Sequence, residues 1–474
     1  MTQNHADILS KFPETFQGPV LRPGEEGYTA ARSIFNMRLA HEDPALIARA
    51  VDADDVVTAV RFAADSGIPL AIRSGGHGVD GTAMPGGGLV LDTSLLKRID
   101  VDPRTRVAKI DAGVLLGELD GGLQRYGLVV PAGTVSTTGV AGLTLGGGVG
   151  YLMRRFGATV DNLLACDVVT TDGRKVRASA EENPDLFWGL RGGGANLGVV
   201  TRFEYRAHEL GPDVTSGLLV FGMDEAAQVL DGLAHHMRTA PRELGVIASM
   251  APCPPLPSVP EQAHGQWVLL LVVVWTGDQA RAGDIVAPLV ALGRPLANLV
   301  QPTTWVETNR MLDVVAPYGH RAHTCGGYLT DLTDGAVAVA LEHTRLAPPP
   351  ADVLPPTIIN FWAMGGAISN DFAEDSVAFS REGAGWFWET LGQWDGEEND
   401  AAYVAWVDGV RTAMRPHLRA NGYVNLSVDQ GPKWLRGLYG SPAKFARLAE
   451  AKTAWDPGNM LRFNKNIAPA KAGT

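Results

Sequence analysis

The sequence predicts an α+β protein of more than one domain, and three observations lead there. Short apolar runs follow one another closely between residues 69 and 111 and again between 165 and 205, with hairpin signals between them. After about residue 208 the texture changes to longer strand and helix candidates in alternation, which predicts an antiparallel sheet backed by helices. Glycine, 56 of 474 residues, gathers near 75–88, 131–150 and 189–198, all in the first of these regions. A chain of this length has room for two or three domains.

Residues 1–37 are polar and irregular and read as a lead-in. Asp54 or Asp55 is placed to cap a helix over 56–65, with Val56, Val60 and Ala63 on one face. A buried strand follows at 69–72. It runs into Arg73-Ser74-Gly75-Gly76-His77-Gly78, a glycine-rich loop whose N–H groups can approach an anion closely. Gly76-x-Gly78-x-x-Gly81 matches GxGxxG, but Thr82 to Gly88, with Pro85 inside it, cannot open a helix. A nicotinamide-binding Rossmann unit is therefore not expected.

Strands are predicted at 88–92, 99–101 and 107–111, and a helix at 115–126 closed by Gly127. Seven of the twenty residues from 131 to 150 are glycine, poor composition for a helix but suited to main chain packed on a flat ligand. A hairpin at 165–178 turns about Asp172-Gly173, Asn183-Pro184 opens a helix to 190, and a strand runs over 199–205. Any one glycine cluster could equally be a set of tight turns. The three together suggest one extended ligand.

In the second region strands are predicted at 216–221, 245–250, 267–275 and 357–363. Helices are predicted at 225–239, 279–291, 376–390 and 401–420. Trp305, Trp362, Trp386, Trp388 and Trp394 lie here, as pocket lining or, one by one, as core. Tyr151, Glu307, His320 and His323 are candidate pocket polar groups, and His235-His236 reads as helix surface. The tail has a short strand at 423–426, a helix from Ser441-Pro442 to 455, and a turn at Asp456-Pro457-Gly458-Asn459.

A net charge of −12 argues against nucleic-acid binding. Cys166, Cys253 and Cys325 form neither a metal spacing nor a disulfide framework, so no metal site is expected. The start lacks a basic stretch followed by an apolar one. The longest apolar run, 267–275, is too short to span a bilayer. A cytoplasmic protein without a membrane partner is the expectation; oligomeric state is open.

The succession IRSGGH, GVAGLTLGGGVGYLMRRFG, FWGLRGGGANLGVVT and DPGNMLRFNKNI resembles the berberine bridge enzyme-like flavoproteins of the vanillyl alcohol oxidase superfamily, over nearly the whole chain. The resemblance implies a two-subdomain PCMH-type FAD-binding domain at 38–208. It implies a substrate domain at 209–420 and a C-terminal element at 421–474 packing back on the FAD domain.

Carried over residue by residue, Arg73, Ser74, Gly75, Gly76, His77 and Gly78 bind the FAD pyrophosphate, and His77 holds the flavin covalently. Thr137, Thr138, Gly139, Gly142, Gly147 and Gly148 line the cofactor, as do Gly198 and Val199. Tyr423, Asn425, Asn464 and Asn466 close over the flavin edge, with Tyr423 as catalytic base. Val135 occupies the slot of the family's second, cysteinyl attachment, so a single covalent link is expected. Thr138 stands at the oxygen gate, close to Val in shape. Val149 replaces the aromatic of bicovalent sugar oxidases. The implied function is an oxidase of a small alcohol, amine or phenol that reduces O2 to H2O2. The alternatives are a dehydrogenase with another acceptor and a non-catalytic flavin carrier.

Overall fold

The computed structural model describes residues 8–40, 43–349 and 354–470. Its first sheet joins β1 (Val20–Leu21), β2 (Leu46–Arg49), β3 (Leu70–Arg73) and β4 (Leu89–Asp92) in the order β1-β2-β4-β3, with β2, β4 and β3 parallel. Helix Ala53–Ser66 packs Val56, Ala59, Val60 and Ala63 against it. Asp52, rather than Asp54 or Asp55, caps that helix, accepting from the N–H groups of Asp54 and Asp55. The Asp55 carboxylate is buried and takes the N–H groups of Gln17, Gly18 and Val51, which ties the lead-in to the helix start.

The second sheet holds β5 (Ile99–Asp102), β6 (Val107–Asp111), β8 (Leu163–Val169), β9 (Lys175–Ser179) and β10 (Val199–Arg206), in the order β5-β6-β10-β8-β9 and antiparallel throughout. Two short strands, β7 (Leu128–Val129) and β11 (His208–Glu209), pair beside it. The hairpin predicted at 165–178 is present, and the strands predicted at 99–101 and 107–111 pair antiparallel as a second one. Two departures stand out. The glycine-rich stretch contains a helix, Val140–Leu145, because Val140, Leu143 and Leu145 reach the core under this sheet. Asn183 precedes helix Pro184–Leu190 in the left-handed region, and its side chain does not cap it.

The third sheet comprises β12 (Asp213–Gly222), β13 (Leu244–Pro252), β14 (Trp267–Trp275), β15 (Ala297–Asn298), β16 (Gln301–Thr304), β17 (Arg321–Leu329), β18 (Ile358–Ala363) and β19 (Trp386–Trp394). It is antiparallel, in the order β15-β12-β14-β13-β18-β19-β17, with β16 beside β12. Alternate residues along its strands serve two faces. Ala248, Met250, Ile359, Phe361 and Trp388 face helices Ala226–Met237, Asp334–Leu346 and Asp400–Met414. Ile247, Val272, Trp362 and Phe387 face the other way, toward the first two sheets.

The predicted helix at 376–390 is wrong: its last residues begin β19, which sits inside the sheet with every residue buried. Residues 423–426 form a 3-10 turn, Val424–Leu426, rather than a strand. Helix Pro442–Trp455 is capped by Ser441, whose hydroxyl accepts from Lys444 N at 3.2 Å. Among the described residues no helix is long and apolar enough to cross a membrane.

Candidate active site

A cavity of about 720 Å³ lies between the third sheet and the glycine-rich loops. Residues 73–78 leave β3 as one wall. Ser74 Oγ donates to Ala112 O at 2.6 Å, and Phe35 N donates to Gly76 O at 2.9 Å, so the loop is pinned from both sides. Gly75 crosses Gly139 backbone to backbone. A Cβ on Gly75 would lie 2.3 Å from the Gly139 nitrogen, so both positions need glycine. Arg73 lines the cavity, yet its guanidinium pairs with buried Asp92 at 3.0 Å. Asp92 also takes Arg49, so the carboxylate is shared between two guanidinium groups.

His77 lines the cavity with its ring parallel to Phe35 at 5.7 Å and edge-on to Tyr318 at 4.9 Å. Its Nε2 is 2.9 Å from Thr137 Oγ1. Burial, helped by the charge of Arg73, pushes its pKa down to about 4, so the imidazole is neutral and nucleophilic at pH 7. Tyr318 donates to the carbonyls of Gly75 and Thr137, and Asp313 accepts from Ser136 N at 2.7 Å and Ser136 Oγ at 2.6 Å. One segment of the third-sheet region thus clamps both glycine loops.

Thr138, Gly139 and Gly142 line the cavity, as do Val135 and Val149. Gly147, Gly148, Gly198 and Val199 do not. A Cβ on Gly147 would meet Phe379 at 2.6 Å, on Gly148 Thr159 at 2.1 Å, and on Gly198 Val168 at 2.6 Å, so these glycines admit neighbouring side chains behind the wall. Val199 is core. Asn464 faces the cavity with Nδ2 on Ala195 O at 2.9 Å and a buried, unpartnered Oδ1; Asn466 stays outside the lining.

Tyr423 sits at the cavity wall between the rings of Phe379 and Phe387. Asn425 Nδ2 donates to its hydroxyl at 3.0 Å, and the backbone N–H groups of Gly148 and Val149 turn toward it. Burial outweighs them and pushes the phenol up to about 12. Glu389, on β19, lines the cavity and is 4% exposed. Burial raises its carboxyl to about 7, against the N–H of Asn360, which donates at 3.0 Å. The sequence reading missed Glu389 because it placed residues 376–390 on a helix. The signal was present: in WFWETLGQW one acid interrupts an aromatic run at strand spacing.

Tyr151, Glu307, His320 and His323 are outside the lining. His320 bonds Asp395, and His323 lies between Arg38 and Asp408. Of the five tryptophans only Trp362 lines the cavity; Trp386 and Trp388 face the helices, Trp305 donates to Asp120, and Trp394 stacks on Tyr403.

Comparison with known proteins bears on this geometry. A family model described as "FAD binding domain" matches residues 44–179, and one described as "Berberine and berberine like" matches 422–468. The FAD-linked oxidoreductase OXR1 of Pyricularia oryzae is 30% identical over 86% of this chain and 81% of its own. The chain belongs to the berberine bridge enzyme-like FAD-linked oxidoreductases. Within this family, (R)-6-hydroxynicotine oxidase of Paenarthrobacter nicotinovorans is 28% identical over 96% of this chain and 98% of its own. The crystal structure of 6-hydroxy-D-nicotine oxidase from Arthrobacter nicotinovorans superposes with a TM-score of 0.85 at 26% identity, covering 97% of this chain and 100% of that one.

This FAD-linked oxidoreductase has a site that fits the cofactor. Gly78 and Gly142 line the cavity and meet nothing within 4 Å at their Cβ positions, and Asn464 Oδ1 and Arg73 Nε are buried polar atoms without partners on residues of the same lining.

Proposed function

We propose that this oxidoreductase carries its flavin on His77 through a single covalent bond. We propose further that it oxidises a small organic substrate, an alcohol, amine or phenol, with O2 as acceptor and H2O2 as product. The observation that carries the reading is the pairing of a neutral imidazole on one wall with the buried Glu389 carboxyl on the facing sheet, both open to one cavity. Bound FAD supplies a two-electron acceptor there. Val135 offers no thiol for a second link, and the three cysteines are buried elsewhere. The name of the 6-hydroxynicotine oxidase relative supports oxidase chemistry.

Glu389, with a pKa near neutrality, takes the proton from a substrate O–H or N–H. Tyr423 remains a neutral phenol at neutral pH. Its oxygen receives N–H donors, which aims its hydroxyl hydrogen into the cavity to orient substrate rather than abstract a proton. Proton acceptance thus moves from Tyr423, the residue singled out by the sequence, to Glu389.

The deciding experiment is acid precipitation of the purified protein followed by a visible spectrum. The expected result is a yellow pellet in the wild type and flavin in the supernatant for His77→Ala. A colourless wild-type pellet overturns the covalent link. Oxygen consumption with stoichiometric H2O2 checks the oxidase assignment, and reduction of a dye but not O2 overturns it.

A further inference from the structure

The sheet under the cavity carries one polar row. Ser249 on β13 stands opposite Asn360 on β18, and Asn360 stands opposite Glu389 on β19. All three line the cavity and are 9%, 5% and 4% exposed. Gly326 on β17, opposite Glu389, ends the row without a side chain. The rows on either side are largely apolar: Ile247, Trp362 and Phe387 on one, which ends at Tyr328, and Ala251, Ile358 and Leu391 on the other, which ends at Thr324.

The row is only partly satisfied. Asn360 Nδ2 donates to one Glu389 oxygen at 3.0 Å, leaving Asn360 Oδ1 buried without a partner. The indole N–H of Trp362 is buried and turned toward the Glu389 carboxyl, short of a full hydrogen bond. Buried polar atoms are normally bonded, so orphans aimed into a cavity mark where a ligand bonds. The mouth agrees with the floor. Val314 is 55% and Leu354 42% exposed at the rim of the same cavity, beside Pro255 and Leu256.

We infer that the substrate is a compact, largely apolar molecule that presents a single hydroxyl or amine hydrogen to the Ser249–Asn360–Glu389 row, and that polyhydroxylated molecules are refused. The inference deepens the oxidase reading and rests on it. A carboxylate and an amide oxygen, side by side, accept from one donor-bearing group. A further hydroxyl held over the Ile247 or Ile358 side of the row would lose its water without a partner there, weakening binding about tenfold or more.

The test uses the purified holoprotein and four probes: 2-naphthol, 2-naphthylmethylamine, 2-methoxynaphthalene and xylobiose. Binding is read from the flavin absorbance spectrum and from tryptophan fluorescence, to which Trp362 contributes. The expected result is that 2-naphthol or 2-naphthylmethylamine binds at least about tenfold tighter than 2-methoxynaphthalene. The better of the two identifies hydroxyl or amine. Xylobiose does not saturate at about a hundredfold higher concentration. In Asn360→Leu and Glu389→Leu the advantage over 2-methoxynaphthalene falls below about threefold, while 2-methoxynaphthalene itself still binds and reports a folded cavity. Three results overturn the inference: saturation by xylobiose at naphthol concentrations, equal binding of all three naphthalenes, or an advantage that persists in both variants. A protein without flavin overturns the oxidase reading instead, and the fluorescence titration then still decides the cavity's preference.

Discussion

Gly75 and Gly139 cross backbone against backbone, each at the position where a Cβ on the other would lie: 2.3 Å from Gly139 N in one direction, 2.5 Å from Gly75 N in the other. No side chain can yield there, so Gly75→Ala or Gly139→Ala must push the two loops apart. A cost of about 3 kcal/mol or more and loss of bound flavin are expected. Gly142→Ala is the contrast. Its Cβ meets nothing within 4 Å, and the residue sits in helix Val140–Leu145 on the cavity wall. That variant should fold at least as stably as the wild type while its methyl group projects into the cavity and lowers flavin occupancy. Melting temperature together with the 450/280 nm absorbance ratio separates the two cases.

Glu389 makes stability and activity depend on pH in opposite senses. Its carboxyl is raised from 4.5 to about 7, so the native state holds a proton that the unfolded chain has lost across that interval. Stability contributed by the protonated form is therefore complete below about pH 4.5 and declines until about pH 7. Glu389→Gln removes the decline. It should match the wild type in urea unfolding at pH 4.5 and exceed it at pH 8 by up to about 3 kcal/mol. Turnover should show the reverse: the wild-type rate rises through pH 7 as the base ionises, and the variant loses both that limb and most of its rate.

These two residues also show what a sequence can disclose. Gly75 was readable because its neighbours form a loop whose purpose is backbone approach, and such a loop is local. Glu389 was not, because its meaning depends on register. It becomes a cavity residue only when β19 lies between β18 and β17, opposite Asn360 and Gly326. Strand β17, with two glycines in RAHTCGGYL, and helix Asp334–Leu346 escaped the sequence reading altogether. The glycines at 147, 148 and 198 have a second reading. A motif places them near the cofactor, and a side chain from elsewhere occupies the Cβ position of each, with Gly147 and Gly148 also at positive φ.

Tyr318 carries a prediction about assembly of the site. Its hydroxyl bonds the carbonyls of both glycine loops, and its ring edge packs on His77. Tyr318→Phe keeps the ring and deletes both bonds. A loss of about 1 kcal/mol is expected, with His77 less firmly aimed. Slower covalent flavin incorporation during reconstitution with FAD is the measurable outcome. An unchanged rate would show that the ring alone positions His77.

Lys452 tests how the chain's end is held against the cavity. Its side chain is fully buried, and Nζ donates to Asn196 O at 2.9 Å, Leu461 O at 3.0 Å and Asp456 Oδ2 at 2.6 Å. Asp456 in turn accepts from the N–H groups of Met460 and Leu461. The pair therefore joins the loop at Asn196 to the segment carrying Asn464, and both line the cavity. Burial lowers the Lys452 pKa while Asp456 holds the charged form in place. Lys452→Met leaves a buried carboxylate and two carbonyls without their cation and should cost about 3–5 kcal/mol. Asp456→Asn in the Lys452→Met background removes the stranded charge and keeps an acceptor for one of the two N–H groups, which bond different oxygens. The double variant should therefore be more stable than Lys452→Met alone. Non-additivity of this size in a double-mutant cycle would show that the pair, and not the lysine's bulk, fastens the C-terminal segment.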